Sequence, residues 1–217
     1  MIRALVWKEL RETAGIAAVF LAVGLAYIAG LAGWSLFAWF TPRQGVSANW
    51  PFHDFESRYG FIAAAFAMAL AYRQSAFEPA RGTALYLFHR PMGRRAIVFT
   101  KLGTGLGLQT ALLSLPIVIY GWWAATPGHI AAPFEWSMTE PAFRIVLAMP
   151  AVYLGAFSSG IYEARWIGGR LLPLLATAPV LILLVIPGFW IFGPPAAVLL
   201  CAWFISDILL EVRTRDF

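Results

Sequence analysis

Along the first twelve residues, Ile2, Leu5, Val6 and Leu10 recur at helical spacing, while Arg3, Lys8, Glu9, Arg11 and Glu12 occupy the positions between them. That pattern predicts an amphipathic helix over 1–13 lying along a membrane surface. From Gly15 to Phe40 charged side chains vanish. The stretch is too long for the core of a cleavable leader and no small-residue cleavage site precedes it, so it reads as a retained membrane helix. Five more apolar segments follow, at about 60–77, 103–125, 143–162, 171–189 and 193–211. Each approaches the roughly 20 residues that cross a bilayer as a helix. The second carries Arg73 and Gln74 at its end, where an arginine can snorkel to the headgroups. The fifth and sixth are separated only by the turn around "IPGFWIFGPP". The expected fold is an all-α polytopic membrane protein, with an N-terminal interfacial helix over 1–13 and six transmembrane helices within a domain spanning 14–217.

Composition agrees with this pattern. Of 217 residues, 60% are hydrophobic and 12% charged, against about 25% charged in soluble domains, which argues against a water-soluble enzyme. The formal charge of +5 would suit nucleic acid or an anionic membrane surface. Position decides between them. On the six-segment map 13 of the 16 basic residues fall on the side of the N-terminus, and only Arg43, Arg58 and Arg144 on the other. The positive-inside rule then sets both termini in the cytoplasm, and the surplus charge points to membrane lipids and topology, with no nucleic acid partner. The tryptophans gather near helix ends and connections, as interfacial anchors do. Cys201 stands alone in an apolar run, so there is no disulfide framework.

The most organised polar stretch is "YRQSAFEPARGTALYLFHRPMGRRAIVFTKLGTG", Tyr72 to Gly105. Glu78, Arg81, Arg90, Arg94 and Arg95 surround an apolar set from Leu85 to Phe88, and Pro91 with Gly93 can end a short helix. The segment resembles the cytoplasmic connection of ABC-2-type transporter permeases in the order of Glu78, Arg81-Gly82-Thr83, Leu87, Arg90-Pro91, Arg94-Arg95, Ile97 and Lys101. The resemblance covers about thirty residues in detail and most of the chain in organisation. It implies a coupling helix within about 76–96 that docks on a cytoplasmic ATP-binding subunit. Glu78, Arg81 and Gly82 would lie at its entry, Leu85, Tyr86, Leu87 and Phe88 in the packed part, and Arg90, Pro91, Arg94 and Arg95 at its border. It further implies a second permease, identical or related, and location in the bacterial cytoplasmic (inner) membrane.

The chain itself contains no GxxxxGK[ST] loop, and "GTGLGLQT" lacks the lysine that cradles a nucleotide phosphate. The chain is therefore expected not to be an enzyme, and no cofactor is expected in it; ATP and magnesium would be bound by the partner. His53, His89 and His129 are scattered and suggest no metal set. Gly103 and Gly107 form a GxxxG pair suited to helix packing. Gln109 and Asp207 are candidates for an intramembrane polar or gating role, since polar groups in hydrocarbon need partners. Glu163 is expected at the inner boundary beside Arg165. These features predict the permease subunit of an ATP-driven exporter of a hydrophobic or amphipathic substrate. The alternative is a non-transporting membrane scaffold that recruits a cytoplasmic complex.

Overall fold

The computed structural model describes residues 2–34, 52, 55–77, 93–130, 133–162, 169–185 and 191–214. Helix α1 runs Ile2–Leu31, α2 Phe55–Ser75 and α3 Arg94–Ala125. A single 3-10 turn, Trp136–Thr139, leads into α4, Glu140–Ile161. Two short helices follow, α5 at Leu172–Leu175 and α6 at Ala178–Val185, and α7 spans Gly193–Thr214. The described residues are all-helical, and their architecture is that of a multi-pass helical membrane protein.

Two parts of the expected fold require correction. Among the described residues four helices, not six, are long and apolar enough to cross a membrane: Ile2–Leu31, Arg94–Ala125, Trp136–Ile161 and Gly193–Arg213. The 21-residue α2 has the length, but Arg58, Arg73 and Gln74 among its alanines lower its hydropathy, and it lies packed inside the bundle. In the fifth segment the apolar run is divided, because Pro173 and Pro179 each open a new turn and Thr177 closes the first against the Leu174 carbonyl at 2.6 Å. The second correction concerns the N-terminus, where no separate interfacial helix exists. The amphipathic residues and the apolar run form one 30-residue helix, since Thr13, Ala14 and Gly15 between them carry no helix-stopping proline or capping pattern.

The core centres on α4. Within its apolar window 78% is buried, against no more than 33% in α1, α3 and α7. All residues from Ala151 to Gly160 are buried, and α2 packs along α4, with its Ala63, Ala67, Leu70 and Ala71 buried and Phe66 stacked on Phe20 of α1. Small residues permit the approach, since only close van der Waals contact holds helices together in lipid. A methyl placed on Gly155 would meet Thr177 Cγ2 at 2.8 Å and the Pro173 carbonyl at 2.9 Å.

Helices α1 and α3 run side by side in parallel. Gly24 leaves room for the Pro116 ring, 3.3 Å from where a Cβ would stand, and Glu9 meets Lys101 with the same sequence separation. Toward the far end an aromatic cluster of Tyr27, Phe52, Phe55, Tyr59 and Tyr120 fills the interior. The Tyr59 hydroxyl donates to the Leu113 carbonyl at 2.6 Å, one turn before Pro116.

Candidate functional site: a buried polar cluster at one end of the bundle

The start of α1, the end of α2, the start of α3 and the last turns of α4 and α7 lie at one end of the bundle, tied together by side-chain bonds. Glu9 and Lys101 are both nearly inaccessible, at 1% and 4% exposure. Lys101 Nζ lies 3.5 Å from Glu9 Oε1 and donates to the Gln74 backbone carbonyl at 3.0 Å. Gln74 Nε2 donates to Glu9 Oε2 at 3.1 Å, and the Tyr153 hydroxyl donates to Gln74 Oε1 at 2.5 Å. Glu9 Oε1 accepts no hydrogen bond among the described residues; the ammonium groups of Lys101 and, at 3.8 Å, Lys8 balance its charge.

Four helices thus contribute one residue each. A buried charge is tolerated only when paired, and removing one partner leaves the other uncompensated. The cluster is closed above by Gly105, where a methyl would collide with the Tyr153 hydroxyl and the Gln74 side-chain carbonyl. Toward the surface it grades into a weaker layer, with Glu12 bridging Lys8 and Arg73 at 3.5 Å each.

A second polar group secures the last turn of α4. Arg170 donates from Nε to the Ser159 carbonyl at 2.9 Å and from Nη2 to the Gly160 carbonyl at 3.1 Å. A cation on the unsatisfied carbonyls of a helix C-terminus is favourable. Tyr72 joins Ser159 by a 3.1 Å hydroxyl contact. Just past the helix the Tyr162 hydroxyl donates to Asp207 Oδ2 at 2.6 Å. Burial, the bond to Asp207 and the charges of Asp207 and Glu211 hold the Tyr162 phenol pKa well above its ordinary value.

The expected site residues distribute unevenly over this arrangement. Glu78, Arg81, Gly82, Leu85, Tyr86, Leu87, Phe88, Arg90 and Pro91, with most of the 76–96 connection, lie outside the described residues, as do Glu163, Arg165, His53 and His89. Arg94 and Arg95 form the first turn of α3, which begins nine residues earlier than the expected third span. Arg95 is exposed and Arg94 half-buried. Gln109 is buried in α3 with neither amide atom hydrogen-bonded among the described residues. Asp207 belongs to the polar end through Tyr162. Among the described residues a Cβ on Gly103 or Gly107 would meet nothing within 4 Å, whereas Gly105 makes the close contact. His129 stacks on Trp123 at 4.8 Å, with Nδ1 2.8 Å from its carbonyl. Among the described residues no three His, Cys, Asp or Glu side chains gather to hold a metal.

The Glu9, Gln74, Lys101 and Tyr153 cluster was not singled out from sequence. A partial signal exists in α3, where Lys101, Gly105 and Gln109 follow one another at four-residue intervals on a single stripe of an otherwise apolar helix. Comparison with models of known protein families, with curated proteins and with solved structures finds no match.

Proposed function

We propose that the chain is the membrane subunit of an ATP-driven transporter of the ABC-2 permease type, working with cytoplasmic ATP-binding subunits and a second permease, identical or related. The observation that carries this reading is where the polar cluster sits. Gln74, at the end of α2, and Lys101, near the start of α3, flank the 76–93 connection that resembles a coupling region, and both are bonded to Glu9 of α1 while Gln74 also holds Tyr153 of α4. A push on the connection would reach four helices at once, which is the requirement for a partner's ATP cycle to bias two packings of a bundle.

Charge distribution supports the orientation. Among the described basic residues, Arg3, Lys8, Arg11, Arg73, Arg94, Arg95, Lys101, Arg170 and Arg213 share the end that carries the cluster, and Arg58 and Arg144 lie toward the other. This asymmetry favours an orientation with that end, including both chain termini, in the cytoplasm, and the ABC-2 resemblance implies the bacterial cytoplasmic membrane. The apolar bundle suits export of a hydrophobic or amphipathic substrate.

The test is gentle extraction of the chain from its native membrane, identification of co-purifying polypeptides, and ATP hydrolysis by the complex. An ATP-hydrolysing chain is expected, and Leu85→Glu with Phe88→Glu should release it while the variant still inserts in the membrane. Co-purification with a stable complex that neither binds nor hydrolyses ATP would overturn the reading in favour of a scaffold.

A further inference from the structure

Pro116 stands in the interior of α3 and is itself buried. A proline there has no N–H to offer the Leu112 carbonyl, four residues back, and its ring presses on that turn, so the helix bends or loosens at this point. Within hydrocarbon such a break persists where neighbouring helices restore what the backbone loses. Two neighbours converge on it. Gly24 of α1 leaves the space that the pyrrolidine ring fills, with Pro116 Cγ 3.3 Å from where a Cβ would stand. From α2 the Tyr59 hydroxyl donates to the Leu113 carbonyl at 2.6 Å, on the turn that the proline disturbs. Tyr59 is fully buried, so without that acceptor its hydroxyl would be left unsatisfied.

The rest of α3 is held on either side of this point. Toward its start, Lys101 donates to the Gln74 carbonyl, and Gly105 is closed over by Tyr153 and Gln74. Toward its far end, Tyr120 stacks with Phe55 at 6.2 Å and meets Phe52 edge-on at 5.1 Å, and Gly121 admits the Trp136 ring. Between Gly105 and Tyr120, Tyr59 makes the one side-chain hydrogen bond that reaches α3 from another helix among the described residues. We propose that Pro116 is a hinge in α3 and that the Tyr59 hydroxyl is its latch. Bonded, the latch fixes the angle between the two halves of the helix. Released, it lets the half that carries Lys101 and Gly105 tilt about the Gly24 notch while the far half stays in the aromatic cluster. A proline bend by itself is ordinary in a membrane helix; here a second helix places a polar bond on the bend and a third makes room for the ring. Lys101 lies fifteen residues from Pro116, about 22 Å along the helix, so a change of about 10° at the hinge carries it about 4 Å sideways. The hinge stands without the transport reading. Where a partner pushes on the 76–93 connection, this is the joint at which α3 yields.

The experiment measures the bend in the full-length chain in lipid nanodiscs, with neither partner nor ATP present. Spin labels on Phe99→Cys and Trp122→Cys, exposed positions on either side of Pro116, in a Cys201→Ser background, lie about 35 Å apart along the helix. Double electron–electron resonance then reads their distance distribution. With Tyr59 intact the distribution should be narrow. Tyr59→Phe should broaden it, raising the population of other distances about tenfold, the size expected for the loss of one such hydrogen bond. Pro116→Ala restores the missing N–H and should give a narrow distribution that Tyr59→Phe no longer changes. That loss of response separates a latch on a hinge from ordinary packing, because a tyrosine that only packs would act alike in both backgrounds. Gly24→Ala, which sets a methyl against the ring while Tyr59 stays in place, should shift the mean distance. Unchanged helical content by circular dichroism establishes that the variants fold. An unaltered distribution in Tyr59→Phe, equal broadening in the Pro116→Ala background, or an unmoved mean in Gly24→Ala overturns the proposal, and none of these bears on whether an ATP-hydrolysing chain co-purifies.

Discussion

Glu9 and Lys101 stand 3.5 Å apart in the interior of the bundle, the carboxylate on the first helix and the ammonium on the third, and neither has appreciable access to solvent. Such a pair is a weak source of net stability, because desolvation of both charges opposes their attraction. Its sensitivity lies in being broken. Lys101→Met should destabilise the protein by about 3–5 kcal/mol, since it leaves the buried Glu9 with the partly exposed Lys8, at 3.8 Å, as its described cation. Adding Glu9→Leu should recover a large part of that loss. Thermal unfolding in detergent for the two singles and the double checks this, and a strictly additive double would show that the residues are not coupled.

The Tyr153 hydroxyl gives a second test. Tyr153→Phe removes the donor to Gln74 Oε1 and should cost about 1–3 kcal/mol, because it leaves a buried amide oxygen unsatisfied. Gly105→Ala, which adds its methyl against Tyr153 and Gln74, should be more damaging than either Gly103→Ala or Gly107→Ala, where a Cβ meets no described atom within 4 Å. Comparing the unfolding midpoints of the three alanine variants reads this directly; equal effects would contradict the packing at Gly105.

Gln109 should respond with the opposite sign. Both atoms of its amide are buried without hydrogen bonds among the described residues, so Gln109→Leu, of similar size and apolar, should be neutral or stabilising. A loss above about 1 kcal/mol would mean that an internal water or another polar group satisfies the amide.

Tyr162 predicts a pH dependence. Its phenol pKa is raised above the ordinary value of 10.0, first by burial and then by Asp207 and Glu211. A group whose pKa is higher folded than unfolded contributes stability that is complete below the unfolded value and is lost as pH rises through the folded one. Tyr162→Phe should therefore lower stability at neutral pH and narrow the gap to wild type as pH rises beyond 10. Unfolding measured from pH 7 to 11 checks it, and a constant gap would contradict the linkage.

Much of the fold was legible because a membrane helix is a long-range property of composition. The runs in α1, α3, α4 and α7 reveal themselves by length and apolarity alone. Reading by length alone overcounts at α2, where Arg73 and Gln74 pair with Glu12 and Glu9 of α1, contacts that no apolar run reveals. The N-terminal helix was divided in two because a change from amphipathic to apolar pattern looks like a boundary, although a helix can carry both faces of that change without stopping. The central cluster was hidden for a different reason. Glu9, Gln74, Lys101 and Tyr153 come from four segments, each polar residue individually ordinary for a helix end, and only the antiparallel and parallel pairings bring them together. The glycines show the same limit at close range. Gly103, Gly105 and Gly107 alternate within one turn, and which of them meets a neighbour depends on the rotation of α3, which spacing leaves open.

The unbroken α1 and the 32-residue α3 also fix how deep the molecule sits. At about 1.5 Å per residue they extend some 45 Å, well beyond the roughly 30 Å of bilayer hydrocarbon. The excess belongs at the end where Arg3, Lys8, Glu9, Arg11 and Glu12 meet Arg94, Arg95 and Lys101, because the opposite ends are apolar. The ion pair is then stationed where hydrocarbon gives way to headgroups. Thickening or thinning the bilayer would carry it toward a drier or a wetter level, making lipid length itself a control on the charge that holds the four helices together.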